Sequence, residues 1–305
     1  NYDVNVQHGI ISAIEDQSQK VQWNSLIDRY DFNLTGANGS KIGTGASNTD
    51  KILTFYNSPT STFAAIVARN YKHVWFDGPD IRSIDCGLLY NPKYFKVIYA
   101  ESLTVDITKS GEKGGKTRDI LHVCGNLLGD TVHVFVNHWP SRSGGEAKSR
   151  PSREKAAYQN TKIIEQVREK DPNAKILIMG DFNDDPTNSS FKNVLKTEGK
   201  KEDVSENDIF NPYEEMHKKG YNTLGYRDNI NLFDMILISE PLLNKGENNF
   251  ATYKMFKAMI FNKRFLTGRT GQYKGYPFRS FGNGGFTGGY SDHYPVYVYL
   301  IKEKK

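Results

Sequence analysis

Six stretches of this chain carry the apolar patterning of β-strands, and turn-forming or charged residues punctuate the intervals between them. They are Asp85–Tyr90, Thr117–Val123, Thr131–Val136, Lys175–Met179, Leu232–Ser239 and Pro295–Ile301. Between the third and fourth, Ala156, Ile163, Ile164 and Val167 recur at helical spacing and Asp171-Pro172 closes the segment, which predicts a helix from Pro151 to Lys170. This is a strand-helix-strand unit. The glycine-rich stretch 282–289 is expected to be a flexible approach to the last strand. Together these elements predict an α/β (α+β) chain built as a two-sheet sandwich.

Three of the strands adjoin short polar motifs. Val132, Val134 and Val136 lead into Asn137-His138-Trp139-Pro140; residues 175–179 lead into Gly180-Asp181-Phe182-Asn183-Asp184-Asp185; Ser291-Asp292-His293-Tyr294-Pro295 precedes the last strand. Strand ends are where side chains from distant parts of a sequence can converge, so these histidines, aspartates and asparagine are candidates for one pocket.

In this order the motifs resemble the endonuclease/exonuclease/phosphatase superfamily of metal-dependent phosphoesterases, which includes pancreatic-type deoxyribonuclease, abasic-site endonuclease, inositol-phosphate 5-phosphatases and bacterial sphingomyelinases. A fourth segment, Leu232–Ser239, is similar to the family strand whose aspartate orients the last histidine. Asp80-Ile81-Arg82-Ser83-Ile84-Asp85, Leu88-Leu89-Tyr90-Asn91-Pro92 and Ser141-Arg142-Ser143-Gly144-Gly145 look most like secreted-type bacterial members, and the resemblance runs from about Arg69 to Leu300. It implies a four-layer α/β sandwich, two packed mixed β-sheets flanked by helices. It also implies hydrolysis of a phosphodiester by in-line attack of an activated water, and a secreted or periplasmic location.

Residue types agree with that chemistry, each with a plainer alternative beside it. If the strand extends through Asp181 and Asn183, period-two alternation puts both on one side, a base and a neutral donor facing one water; an Asp-Asn turn after a strand is the competing reading. Asp292 is a hard oxygen ligand suited to Mg2+, and also to Mn2+ or Ca2+, beside an imidazole, His293, able to move a proton or stabilise a phosphoryl group. Asp234 shares a strand face with Ile236 and Ile238, a costly place for an unpaired carboxylate, and the family's Asp-His dyad pairs it with His293. The alternative is a surface aspartate at a strand end. By resemblance His138 is a general acid or phosphate donor with Arg142 nearby to contact substrate; otherwise it is a buried structural histidine. Arg82 either grips a phosphate or pairs with Asp80 or Asp85 in a turn. Lys148, Arg150, Arg153 and Lys155 read as a solvated helix start more readily than as a basic cluster at the site.

The N-terminal region departs from the family pattern. Asn5 is the preferred first-strand asparagine and second metal ligand, with Asn33 competing. The place expected to hold a metal-binding glutamate falls near residues 54–57, which contain no carboxylate, and Glu15 is the only glutamate before Glu101. Two readings follow: an enzyme with a reduced ligand set, or a catalytically weakened member that binds a phosphoester or other ligand without cleaving it efficiently.

Composition changes little. Residues 1–305 lack a linker, repeat or long apolar run, so one monomeric domain without a transmembrane segment is expected. The net charge of +5, set against 40 basic and 35 acidic residues, is compatible with a phosphoester substrate, nucleic acid included, without selecting one. Cys86 and Cys124 lie in apolar strand-like surroundings and are expected to be buried free thiols. The start at Asn1 without methionine suggests processing or trimming of the chain.

Overall fold

The computed structural model describes residues 71–303 except 109–114, 228, 247–248 and 283–284. Asn5, Glu15, Asn33 and the 54–57 segment lie outside the described residues. In chain order the elements are β1 Lys72–Trp75, β2 Gly87–Tyr90, β3 Phe95–Leu103, β4 Ile120–Leu127, β5 Asp130–His138, α1 Glu146–Lys170, β6 Lys175–Asp181, β7 Thr197–Glu198, β8 Ile209–Phe210, α2 Glu214–Lys218, β9 Leu224–Tyr226, β10 Asn229–Asn231, β11 Asp234–Ser239, β12 Lys254–Ile260, β13 Phe281–Gly282, β14 Gly285–Phe286 and β15 Val296–Ile301.

A seven-stranded mixed sheet in the order β3-β4-β5-β6-β11-β8-β7 forms the centre. Only β5 with β6 and β7 with β8 run parallel. The β5-to-β6 connection is the predicted strand-helix-strand crossover, since parallel neighbours cannot be joined by a tight turn. On α1, Ala156, Ala157, Asn160, Ile163, Ile164 and Val167 are buried, a stripe at helical spacing that gives the helix its packed face. Every residue of β11 is buried, as expected for a strand covered on both faces. β15 packs against β11 and pairs with β12, which supplies a second sheet layer. The architecture is an α/β sandwich with mixed sheets and flanking helices.

Local departures from the sequence pattern have identifiable causes. The helix begins at Glu146, five residues before Pro151, and Pro151 sits inside it near the N-terminus. As the sixth helical residue it lies beyond the amides that lack an intrahelical partner, so it removes one backbone bond, the one to the Ala147 carbonyl, close to the helix start. Two further long strands, β3 and β12, were not anticipated, nor were the short β1, β7, β8, β9, β10, β13 and β14; on the long pair Lys96, Tyr99, Glu101, Phe256 and Lys257 face outward and dilute the apolar signal. Cys86 and Cys124 are buried free thiols, as expected.

Candidate active site

Strand register builds the site. His138 ends β5 and lies directly opposite Asp181 at the end of β6, while Asp181 is opposite Asp234, the first residue of β11. Three chemically active side chains thus sit abreast at one end of three adjacent strands, at the ordinary interstrand spacing of about 4.8 Å. The fourth comes from the second layer. His293 forms a bridge with Leu224 at the start of β9, and its Nδ1 lies 2.8 Å from Asp234 Oδ2.

The Gly180-Asp181-Phe182-Asn183 motif holds this geometry by four different means. Gly180 has φ 140° and stands opposite Asn137, where a Cβ would overlap the Asn137 carbonyl oxygen. Phe182 is fully buried against Trp139 and Phe191, which pins the motif to the core. β6 ends at Asp181, so the period-two argument for Asn183 does not apply. The chain instead turns, with Asn183 left-handed at φ 51° and its amide N–H donating to Asp181 Oδ1 at 2.9 Å. That turn returns Asn183 Nδ2 to Asp181 Oδ2 at 3.2 Å and to the Trp139 carbonyl at 3.0 Å. The segment is thus the Asp-Asn turn of the competing reading, and it is the turn that brings the two side chains together.

Electrostatics separate the protonation states. The Asp181 carboxyl is pushed up to about 7, first by burial and then by the neighbouring charge of Asp234, against the pull of His293. Burial works against a charged His293, yet Asp234, its hydrogen bond and the nearby Asp181 and Asp292 overcome it and hold the imidazole well above its ordinary range. His138 is driven well below its ordinary range by burial and by the cations Arg118, His293 and Arg82. Its Nε2 lies 3.5 Å from Asp181 Oδ2. One end of the sheet therefore carries a neutral imidazole, a base poised near neutrality and a cationic imidazole backed by a carboxylate.

The remaining candidates have defined partners. Arg82 donates Nε and Nη2 to Asp80, so its turn pairing is present, while the guanidinium is close enough to act on His138. Arg118, a residue given no role by sequence reasoning, is buried and links that turn to the site by donating to Asp80 and to the carbonyls of His138 and Trp139. Its only sequence signal was a cation placed just before an apolar strand. Arg142 faces inward: its Nε donates to the Asn183 carbonyl, its Nη2 reaches Asp184, Asp185 and Asn188, and its guanidinium lies over the Phe233 ring at 4.5 Å. Arg153 is fully buried in an ion pair with Asp184 at 2.7 Å, unlike the exposed Arg150, which pairs with Glu146. The basic helix start is therefore part solvated face and part structural brace.

A divalent cation suits the donors. Asp181, Asp234 and His293 place one ligand atom each within 4.8 Å of one another. The 2.8 Å contact already commits His293 Nδ1 and Asp234 Oδ2 to each other. Buried oxygens without a hydrogen-bond partner remain at Asp234 Oδ1 and at Asp292 Oδ1, whose Oδ2 is held by Arg279 at 3.0 Å. Orphaned buried carboxylate oxygens are costly unless something positive meets them, and hard oxygens are what magnesium, manganese and calcium take.

The model of the Endonuclease/Exonuclease/phosphatase family matches residues 61–302. The chain belongs to this family. No curated protein matches it. Among solved structures, a humanised TDP2 from D. rerio aligns at 12% identity and TM-score 0.47, covering 79% of this chain and 81% of that one. Human nocturnin aligns at 17% identity and TM-score 0.44, over 65% and 68%. A mannosyl-6-phosphatase from Bacteroides thetaiotaomicron aligns at 15% identity and TM-score 0.46, over 76% and 77%.

Proposed function

We propose that this family member is a metal-dependent phosphoesterase that cleaves a phosphodiester by in-line attack of water. The observation carrying this reading is the alignment of His138, Asp181 and Asp234 on three adjacent strands with His293 Nδ1 2.8 Å from Asp234, a setting in which burial and Asp234 push the Asp181 carboxyl up to about 7. A base is most effective when it titrates near the working pH.

In the proposed reaction a water hydrogen-bonded to Asp181 gives up its proton as its oxygen attacks phosphorus. Asn183, fixed by its turn, orients that water or carboxylate through Nδ2. His293 presents its Nε2–H to a phosphoryl oxygen, where negative charge grows in the transition state, and Asp234 keeps the Nδ1 side protonated. His138, neutral, donates a hydrogen bond from Nε2–H to a phosphoryl oxygen, while the proton released by the water goes to Asp181. Arg82 offers the guanidinium edge that Asp80 does not occupy. Asp292 would hold the cation through its unpartnered Oδ1, with Asn5 proposed as a further ligand. When bound, a magnesium-type cation neutralises phosphoryl charge and stabilises the leaving oxygen.

The test is turnover of bis(4-nitrophenyl) phosphate with added Mg2+ or Mn2+, by the wild-type chain and by Asp181→Ala and His293→Ala. Metal-dependent nitrophenol release that both substitutions reduce by a factor of about 10² or more supports the assignment. Saturable phosphoester binding with no turnover would instead establish the weakened binder.

A further inference from the structure

The 35-residue connection between β12 and β15, residues 261–295, has a composition unlike the rest of the chain. It carries Lys263, Arg264, Arg269, Lys274 and Arg279 against a single acid, Asp292 of the site, and so accounts for four of the five formal net charges. Lys263, Arg264, Arg269 and Lys274 are exposed, and among the described residues none of them is in an ion pair. The charge is therefore concentrated in the connection that carries Asp292 and His293, a distribution that the whole-chain value conceals.

Aromatic rings alternate with these cations. Phe265 against Tyr290, Phe281 against Phe286 and Tyr273 against Tyr276 form three ring pairs with centroids 5.8 to 6.0 Å apart. Each pair leaves at least one ring open to solvent: Phe286 is 64% exposed, Tyr290 52% and Tyr273 40%. The connection is held in shape by its own backbone, with Gly268 donating to Tyr276, Phe278 to Leu266, and Tyr290 to Phe278. Two joints tie it to the site, the Arg279 to Asp292 ion pair and the position of His293 at its end.

We propose that this connection is a docking platform for single-stranded nucleic acid and that it delivers a backbone phosphodiester to the site. The inference rests on the phosphodiesterase reading above and supplies its substrate class. Exposed cations track a phosphate backbone, while ring faces stack on bases of any sequence. A base unstacked from its neighbours exposes both faces, so a single strand can use the open rings and a duplex cannot. An anionic bilayer would also attract the cations, but loops that enter a bilayer bury aliphatic as well as aromatic side chains. The connection has one aliphatic side chain apart from proline, Leu266, and it is buried.

Fluorescence anisotropy of a labelled 12-nucleotide oligothymidylate with the full chain in chelator, across a salt series, tests the platform. Wild type is expected to bind the single strand more tightly than a duplex of the same length, with affinity falling steeply as salt rises. Arg269→Glu with Lys274→Glu should weaken binding at low salt by about tenfold or more and flatten the log–log salt slope by about 1 to 2. Tyr273→Ala with Phe286→Ala should weaken binding by about tenfold while leaving the salt slope unchanged. Both pairs should turn over bis(4-nitrophenyl) phosphate at the wild-type rate, since none of the four residues is in the site. Unaltered oligothymidylate binding in both variants, or capture of phosphatidylserine vesicles without oligothymidylate binding, overturns the platform. Hydrolysis of the small diester without oligonucleotide binding rejects the platform and leaves the enzymatic reading standing; oligonucleotide binding without any turnover does the reverse.

Discussion

Asp181 is a carboxylate where a carboxylate is costly to ionise, buried beside Asp234 and relieved only in part by His293. In the metal-free chain its carboxyl carbon, followed by 13C NMR, is expected to titrate at about 7 against an ordinary 3.8. Titration near 4 would remove the poised base. Gly180 makes a second residue-level prediction. A methyl group there meets the Asn137 carbonyl, and the backbone is at φ 140°, so Gly180→Ala should destabilise the chain by about 2–4 kcal/mol in urea unfolding and depress turnover further by shifting Asp181. A variant as stable as wild type would show that the two strands part easily at this point. The identities of these residues were legible in the sequence because the motif surrounds them. The turn at Asn183 was legible only as the competing reading, because strand periodicity says nothing about where a strand stops.

At the scale of elements, the helix and six of the strands could be read from periodicity, whereas their alignment could not. That His138, Asp181 and Asp234 lie abreast depends on register between strands far apart in sequence, which no local pattern encodes. The basic start of α1 illustrates a second limit. Arg150 and Arg153 look alike in sequence, but helical spacing turns Arg153 into the core, where it meets Asp184 under the Asn183 turn. Arg153→Met leaves the buried Asp184 with Arg142 as its remaining cationic partner and should cost about 1–3 kcal/mol of stability, measured by urea denaturation. The histidines of β4 and β5 predict an acid response. His122 and His133 are buried, 2.9 Å apart, with Glu101 on the far side of His122. Burial holds both below their ordinary range, and the neighbouring His122 adds to the effect on His133, pushing it down to about 4. Groups whose folded-state values are lowered in this way favour folding most while neutral, so their contribution is complete above about 6.5 and declines as pH falls toward 4. The urea midpoint should drop across that window, and His133→Gln should make the drop shallower.

For the whole molecule, the sheets act as a scaffold that collects side chains from residue 80 to residue 293 at one end. The sequence motifs pointed to that convergence, and the family match over residues 61–302 agrees with it. The charge distribution was hidden by averaging: a net +5 looks unremarkable until most of it is found in the single connection that ends in His293. The buried carboxylate oxygens of Asp234 and Asp292 that lack a hydrogen-bond partner fit the proposed cation. Calorimetric titration with Mn2+ should therefore show binding that Asp292→Ala weakens by at least tenfold, whereas equal binding by both chains would remove Asp292 as a ligand.

The most direct measurement of the central claim is the rate of 4-nitrophenol release from bis(4-nitrophenyl) phosphate with saturating Mg2+ or Mn2+, compared between wild type and Asp181→Ala at equal folded concentration. A poised base at Asp181 predicts steady turnover by the wild type, its loss in chelator, and a drop of about 10² or more in the variant. Equal rates in the two proteins would contradict it.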